Sequence, residues 1–359
     1  DGSSAPYAKE NVPFRPKAFL PIAREGVKDG DFVMVAGFPG VTERLRTAEE
    51  ARFYFEDLYP YQQRMLAEYG DLIDALTEGK PAAKIAYAAT LQGVENYEKK
   101  IAGQLAGAEA ISLVEKKKAE EALFRAWIAA DPKRSAQYDP ALAALDALVA
   151  EANAAELADA RRSLLTRGQL YAAARLLYRW ANEQAKPDKD REPGYQARDR
   201  AFITQAMQRI ERRFVPEIDQ ALWAAALAEY RKLPEGDRIR SLDAFLEGRE
   251  LAALYATTTL GDTTTRLAWL DKSPEEFRAS SDPFIQLAVA THDEAMAAEA
   301  AEKARAGRLQ KARAKVMEAR IAYAASQGKV LYPDANGSLR FTYGKVTGKA
   351  VDGQIWTPF

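Results

Sequence analysis

Cysteine is absent from this 359-residue chain, and histidine occurs once. Without cysteine there is no disulfide, no thiolate nucleophile and no zinc-finger site. A single histidine leaves no pair of the HExxH kind for a metal. An excess of one charge is lacking too: 51 Lys and Arg stand against 52 Asp and Glu, a formal net charge of -1. Nucleic-acid binding normally shows a basic excess or a basic face, so no nucleic-acid partner is expected. No apolar run approaches the ~18 residues of a membrane span. Neither metal nor cofactor is expected. The chain opens on Asp1 rather than Met, with no signal-like segment, which is expected of a processed or excised fragment.

What is present is a globular composition, 47% hydrophobic and 29% charged, at a length sufficient for two domains. Residues 1–46 are proline-rich and extended, since Pro13, Pro16, Pro21 and Pro39 forbid a long helix. Within them Phe32-Val33-Met34-Val35-Ala36 reads as a fully buried strand that ends in the turn Gly37-Phe38-Pro39-Gly40. Ala18-Phe19-Leu20 is a second run of strand length, and Lys28-Asp29-Gly30-Asp31 is a turn signal. The glycines at 37 and 40 do not make a phosphate loop, because no Lys-Ser/Thr follows and no helix opens there.

Thr47-Ala48-Glu49-Glu50 is a capping box that starts a long helical region. Helical stops are expected at Pro60, Gly79-Lys80-Pro81, Asp131-Pro132, Asp139-Pro140, Lys186-Pro187, Pro193-Gly194, Pro216, Pro234 and Ser273-Pro274. Between them Leu157, Ala160, Leu164, Leu165, Leu170, Ala174, Leu177 and Trp180 recur near the 3.6-residue period. The last helix is expected over residues 283–327. Leu309, Val316 and Tyr323, seven apart, give it a narrow packing seam. Beyond Gly328, Pro333-Asp334-Ala335-Asn336-Gly337 is a turn, and Ser338-Leu339-Arg340-Phe341-Thr342-Tyr343 alternates like a half-buried strand.

The two ends carry a resemblance. Asn11-Val12-Pro13-Phe14-Arg15-Pro16-Lys17-Ala18-Phe19-Leu20-Pro21-Ile22, Gly30-Asp31-Phe32, Gly37-Phe38-Pro39-Gly40 and the run from Leu331 through Val346 resemble the bacterial dipeptidyl-peptidase 7/11 family of serine peptidases. The resemblance implies a mainly α fold, with a large irregular helical domain inserted between fragments of a chymotrypsin-like double β-barrel. It implies three segments: a β-barrel fragment over 1–46, a substrate-capping helical domain over 47–327, and a return to the barrel over 328–359. It further implies a periplasmic or secreted homodimer of a Gram-negative bacterium, acting on peptides with a free N-terminus.

The family's Ser-His-Asp triad is not expected in this chain, which lacks the Gly-Asn-Ser-Gly-Ser-Pro turn of the nucleophile. No catalytic residue is therefore assigned, and the chain alone is expected to be inert. What the resemblance does imply is a role for Asn96. The segment Gly93-Val94-Glu95-Asn96-Tyr97-Glu98-Lys99 matches one whose asparagine helps to hold the substrate's α-amino group. An ammonium needs acceptors only, and a carboxamide oxygen supplies one without adding charge.

Other candidates read as structural. His292, followed by Asp293 and Glu294, suggests a base or a ligand, but adjacent helix positions point apart. Gly103 and Gly107 suggest close helix packing or a chain reversal. Lys116-Lys117-Lys118 and Arg209, Arg212 and Arg213 read as solvated faces. Phe53, Tyr54, Phe55, Tyr59 and Tyr61 could line a peptide-binding surface but better suit a helix-packing core, with a partial role at the cleft rim left open. The competing function is a non-catalytic helical peptide-binding or scaffold module, and a weaker one is an all-helical adaptor with unrelated ends. The dipeptide side chains preferred are not legible.

Overall fold

The computed structural model describes residues 9, 10, 12, 15–351 and 354–357. Asn11, Pro13 and Phe14 of the N-terminal motif lie outside the described residues. The chain forms two units, one from residues 1–45 with 333–359, the other from 46–332.

In the first unit β1 (Phe32–Gly37) pairs antiparallel with β2 (Arg340–Lys345), Phe32 opposite Lys345 and Gly37 opposite Arg340. The pairing extends through Gly30 N–H to the Val346 carbonyl at 2.8 Å and Val346 N–H to the Asp31 carbonyl at 2.9 Å. Gly30 has φ +87°, a left-handed conformation that suits a residue without Cβ at this turn. At the other end the Asp334 carboxylate accepts from the Thr42 hydroxyl at 2.8 Å and from the N–H groups of Arg44 at 2.9 Å and Leu45 at 3.2 Å. A second ribbon pairs β3 (Lys349–Val351) with β4 (Gln354–Trp356).

Two expectations are corrected here. Ala18-Phe19-Leu20 forms no strand. The β1 strand is also not buried: Phe32 is 65% and Val35 71% exposed, and Phe341 and Tyr343 of β2 are open as well. Apolar residues on both faces are the pattern of a strand covered on two sides. Among the described residues a two-stranded ribbon has no layer stacked on either side.

The second unit is helical. Its α1 (Ala48–Arg52) begins at the expected capping box: Glu50 N–H donates to Thr47 Oγ1 at 3.2 Å, and Thr47 N–H donates to Glu50 Oε2 at 2.8 Å. A wide turn of π type, Phe53–Leu58, follows. Then come α2 (Tyr59–Thr77), α3 (Pro81–Ala110), α4 (Leu113–Ala129), α5 (Pro132–Ser163), α6 (Gln169–Gln184), α7 (Arg200–Ile210), α8 (Pro216–Tyr230), α9 (Arg240–Leu246), α10 (Leu251–Thr257), α11 (Thr263–Ala268), α12 (Pro274–Arg278) and α13 (Pro283–Ser326). The chain is thus mainly α.

Proline stops helices here only where its missing N–H matters. Pro60 stops nothing, contrary to expectation: α1, the π turn Phe53–Leu58 and α2 run on without a break, and the wider π turn lies immediately before the ring that lacks an N–H. Pro140 lies inside α5, which continues through it to Ser163. The expected stop there is wrong: one lost backbone bond is outweighed by Leu142, Leu145 and Val149 packing beyond it.

The main core surrounds α6. Leu170, Leu177 and Trp180 meet Trp223 of α8 and Phe284 and Ile285 of α13, all buried. Trp180 Nε1–H donates to the Leu270 carbonyl at 3.1 Å. Gly168, just before α6, leaves room for the Trp223 ring, since a Cβ there would lie 2.6 Å from it. A second core joins Phe124 and Ile128 of α4 and the apolar face of α5 to Val316, with Leu309 and Tyr323 packed against it. That is the seven-residue seam of α13.

The long α13 spans roughly 66 Å at 1.5 Å per residue and is tied along its length. Glu294 accepts from Arg240 N–H at 3.0 Å and Ser241 N–H at 2.9 Å, capping α9. Arg305 pairs with Asp159 at 3.3 Å, Arg308 with Glu151 at 2.6 Å, and Arg313 with the buried Glu50.

Candidate substrate-binding site

Asn96 lies on α3, whose other face is fixed against α2. A Cβ built on Gly70 of α2 would lie 3.6 Å from Val94 Cγ1 and 3.7 Å from Leu91 Cδ1, so the two helices approach closely there. Gln63 Nε2 reaches Glu98 Oε1 at 3.5 Å on the same side. Val94 and Glu98 thus face α2, and Asn96, about 200° round the helix from Val94, points the other way. The base of the hairpin is held by Tyr87, which is buried with Ile73, Ile218 and Leu222. Its hydroxyl accepts from Gln169 Nε2 at 3.2 Å.

The Asn96 side chain is exposed and forms no side-chain hydrogen bond with any described residue. One turn before it is Gly93, where a Cβ would meet nothing within 4 Å. Around it Lys99 pairs with Glu95 at 3.6 Å, and the Lys100 ammonium stands 5.3 Å from the Tyr97 ring centre. These are exposed, screened contacts that hold little energy. A free carboxamide on an open helix face can offer one acceptor oxygen to a cation. It is one part of an ammonium site, because an ammonium has three donors.

The glycine pair on the same helix departs from expectation. Gly103 and Gly107 lie inside α3 with open space where a Cβ would be. They mark neither a packed crossing nor a reversal; the chain reverses later, at Ser112 with φ +48°. The aromatic run forms a packed group: Tyr54 to Tyr59 at 5.4 Å and Phe55 to Tyr59 at 5.3 Å between ring centres, with Phe53 and Tyr61 buried. Lys118 pairs with Glu115 at 2.8 Å on the surface.

His292 is not assembled into a catalytic pair with Glu294, which is spent on capping α9. Its ring stands edge-on to Tyr178 at 4.8 Å. Burial pushes its pKa below the usual histidine range; Arg179 and Arg175 push the same way, while Asp293 and Glu183 oppose. Among the described residues no group of His, Asp or Glu is placed to hold a metal ion. Among the described residues no helix is long and apolar enough to cross a membrane. Sequence reasoning missed what His292 faces: Arg175 and Arg179, one turn apart on α6, line the same cleft.

The sequence matches the Peptidase S46 family over residues 1–359. The chain belongs to that family. It is 38% identical over 356 residues to an Asp/Glu-specific dipeptidyl-peptidase of Shewanella putrefaciens, covering 97% of this chain and 48% of the relative. A Capnocytophaga gingivalis protein of the same description is 29% identical over 360 residues, covering 96% of this chain and 48% of that relative. The chain therefore spans about half the length of the curated relatives it matches. Its fold matches the crystal structure of Porphyromonas endodontalis DPP11 in complex with the dipeptide Arg-Glu, with TM-score 0.66 at 22% identity over 98% of this chain and 51% of that one. The complex of the same protein with Arg-Asp gives TM-score 0.66 at 24% identity.

Proposed function

We propose that this chain is the helical, substrate-capping part of a serine-type dipeptidyl-peptidase that releases dipeptides from the free N-terminus of peptides. The observation that carries the reading is Asn96, exposed and unengaged on α3 in a chain matched to a peptidase family along its whole length. Its carboxamide oxygen accepts a hydrogen bond from the substrate's α-ammonium, and other acceptors come from elsewhere in the enzyme. Fixing the ammonium at a set distance from the nucleophile leaves room for two residues and no more. The binding energy of a remote group is then used to position the scissile bond.

In this reading the triad is supplied by other segments of the parent protein. The histidine takes the serine proton, the aspartate orients the ring, and backbone N–H groups hold the oxyanion. Residues 1–46 and 328–359 belong to a chymotrypsin-like barrel as fragments of it, and residues 47–327 form the capping domain. The exposed apolar faces of β1 and β2 suit strands that other barrel segments cover. The enzyme works as a homodimer in the periplasm or outside the cell. The Shewanella putrefaciens relative favours Asp or Glu specificity.

The test is dipeptide release by the full-length protein from peptides with free and with N-acetylated termini. Release from free termini only, fastest with Asp or Glu as the second residue, is expected. No release from either, with no Ser-His-Asp set in the parent sequence, would instead make the protein a peptide-binding scaffold.

A further inference from the structure

Between α6 and α13, within the helical unit, lies a cleft of about 250 Å³ lined by Thr166, Arg175, Tyr195, Thr291, His292 and Met296 among others. Its polar groups are nearly all engaged. Arg179 pairs with Glu183 and Glu299, both at 3.1 Å, and Glu299 also meets Lys303 at 2.8 Å. The Thr291 hydroxyl donates to the Leu287 carbonyl at 2.8 Å and accepts from Tyr171 at 3.2 Å. Thr166 donates to the Ser163 carbonyl at 2.7 Å.

Arg175 is the exception. Among the described residues it has no carboxylate within ion-pair distance and no hydrogen-bond acceptor; its nearest recorded partner is the Tyr171 ring, 5.6 Å from the guanidinium. Neither nitrogen of His292 is hydrogen-bonded to a described residue. The Arg175 guanidinium is only partly buried, and its donors, taken by no acceptor of the described residues, open onto the cleft; an oxyanion that accepts two of them gains a strong charge-assisted pair.

We propose that this cleft binds a small oxyanion, a phosphate or a carboxylate, with Arg175 as the anchor and His292 as a second donor when its ring is protonated. The size of the cleft favours such a ligand: sites for larger ligands run to about 300–1,000 Å³. Bound there, the anion bridges α6 and α13. The charged groups that bear on His292 are Asp293 from α13 and Arg175, Arg179 and Glu183 from α6, with Glu299 on the cleft wall. Neutral imidazole, favoured by burial and the two arginines, becomes imidazolium more readily once an anion offsets Arg175. The site uses residues of the helical unit alone and does not depend on the peptidase reading.

Because His292 is the only histidine, its ring signals in NMR report on the cleft without assignment ambiguity. Inorganic phosphate and, separately, acetate are titrated into the protein against chloride at matched ionic strength. A saturable shift of the His292 ring signals and a rise in its pKa are expected. A response to phosphate alone identifies a phosphate site, and a response to both extends it to carboxylates. Arg175→Gln is expected to weaken binding about tenfold or more, the cost of losing charged hydrogen bonds, and to raise the His292 pKa in chloride. Arg175→Lys, which keeps the charge, is expected to retain weakened binding and guards against a variant that fails to fold. No saturable response to either anion, or a response unchanged in both variants, overturns the proposal.

Discussion

Asp282 ties the start of α13 to the loop after α10, and replacing it tests how the helical unit is held. The residue is 7% exposed. Its Oδ1 accepts from Phe284 N–H at 3.0 Å and Ile285 N–H at 3.3 Å, satisfying two of the donors that a helix start leaves open. Its Oδ2 accepts from Thr259 N–H at 2.6 Å and from the hydroxyls of Thr258 and Thr259, both at 3.0 Å. In Asp282→Ala the lost cap costs about 1 kcal/mol. The stranded Thr259 N–H adds about 1–2 kcal/mol, and the hydroxyls, free to rotate toward other acceptors, add less. The expected loss is about 3 kcal/mol, a large share of the ~5–15 kcal/mol that holds a typical domain together. Asp282→Asn keeps one capping oxygen but turns an amide donor toward three other donors, so it is expected to lose about half as much. The assay is the urea midpoint followed by far-UV circular dichroism, with hydrogen exchange of the Phe284 and Ile285 amides as the local readout. If Asp282→Ala stayed within about 0.5 kcal/mol of the parent, or matched Asp282→Asn, the reasoning would be refuted.

Two further perturbations probe other parts of the chain. Arg266 is fully buried and donates to the carbonyls of Met207 at 3.2 Å, Leu260 at 2.6 Å and Gly261 at 2.8 Å and to the Thr263 hydroxyl at 2.7 Å. Arg266→Met strands those carbonyls and is expected to cost about 3 kcal/mol or more by thermal or urea unfolding; a neutral result would show that water replaces the guanidinium. Burial raises the Asp334 pKa, but the Arg44 and Leu45 N–H groups, the Thr42 hydroxyl and the Arg44 guanidinium outweigh it and hold the carboxyl below its ordinary value. Its contribution is therefore complete above the unfolded carboxylate range near ~4 and is lost as pH falls through the depressed native value. Exchange protection of the Arg44 and Leu45 amides, corrected for intrinsic rates, is expected to fall over that window, and Asp334→Asn is expected to remove the dependence. An unchanged profile in the variant would assign the acid response to other carboxylates.

Local chemistry was the legible part of this chain. The Thr47 and Glu50 capping box depends on residues three apart, and the burial of Leu170, Ala174, Leu177 and Trp180 depends on one helical period, so both could be read in a short window. Pro140 misled because its cost is local while the packing of Leu142, Leu145 and Val149 that overrides it is tertiary. Gly103 and Gly107 misled for a related reason: the spacing says that backbones can approach there, not that a second helix does. The continuous apolar run of β1 marks a strand made to be covered, yet among the described residues only β2 lies beside it. For the site, Asn96 was legible through a family motif alone, since nothing in the periodicity of α3 separates it from other solvated polar residues. The cleft at His292 was not legible because Arg175 and His292 belong to distant helices that only the folded core brings together.

The central claim is that α3 presents Asn96 to the substrate's α-ammonium, and the kinetics of Asn96→Ala in the full-length protein test it most directly. Loss of one hydrogen bond to a charged group, about 1.5–3 kcal/mol, corresponds to roughly a ten- to hundredfold fall in kcat/KM. The account predicts that fall for dipeptide release from free-N-terminus peptides, with the folded stability of the protein unchanged because the side chain is exposed and unengaged. Unchanged kcat/KM in a folded Asn96→Ala protein would contradict it.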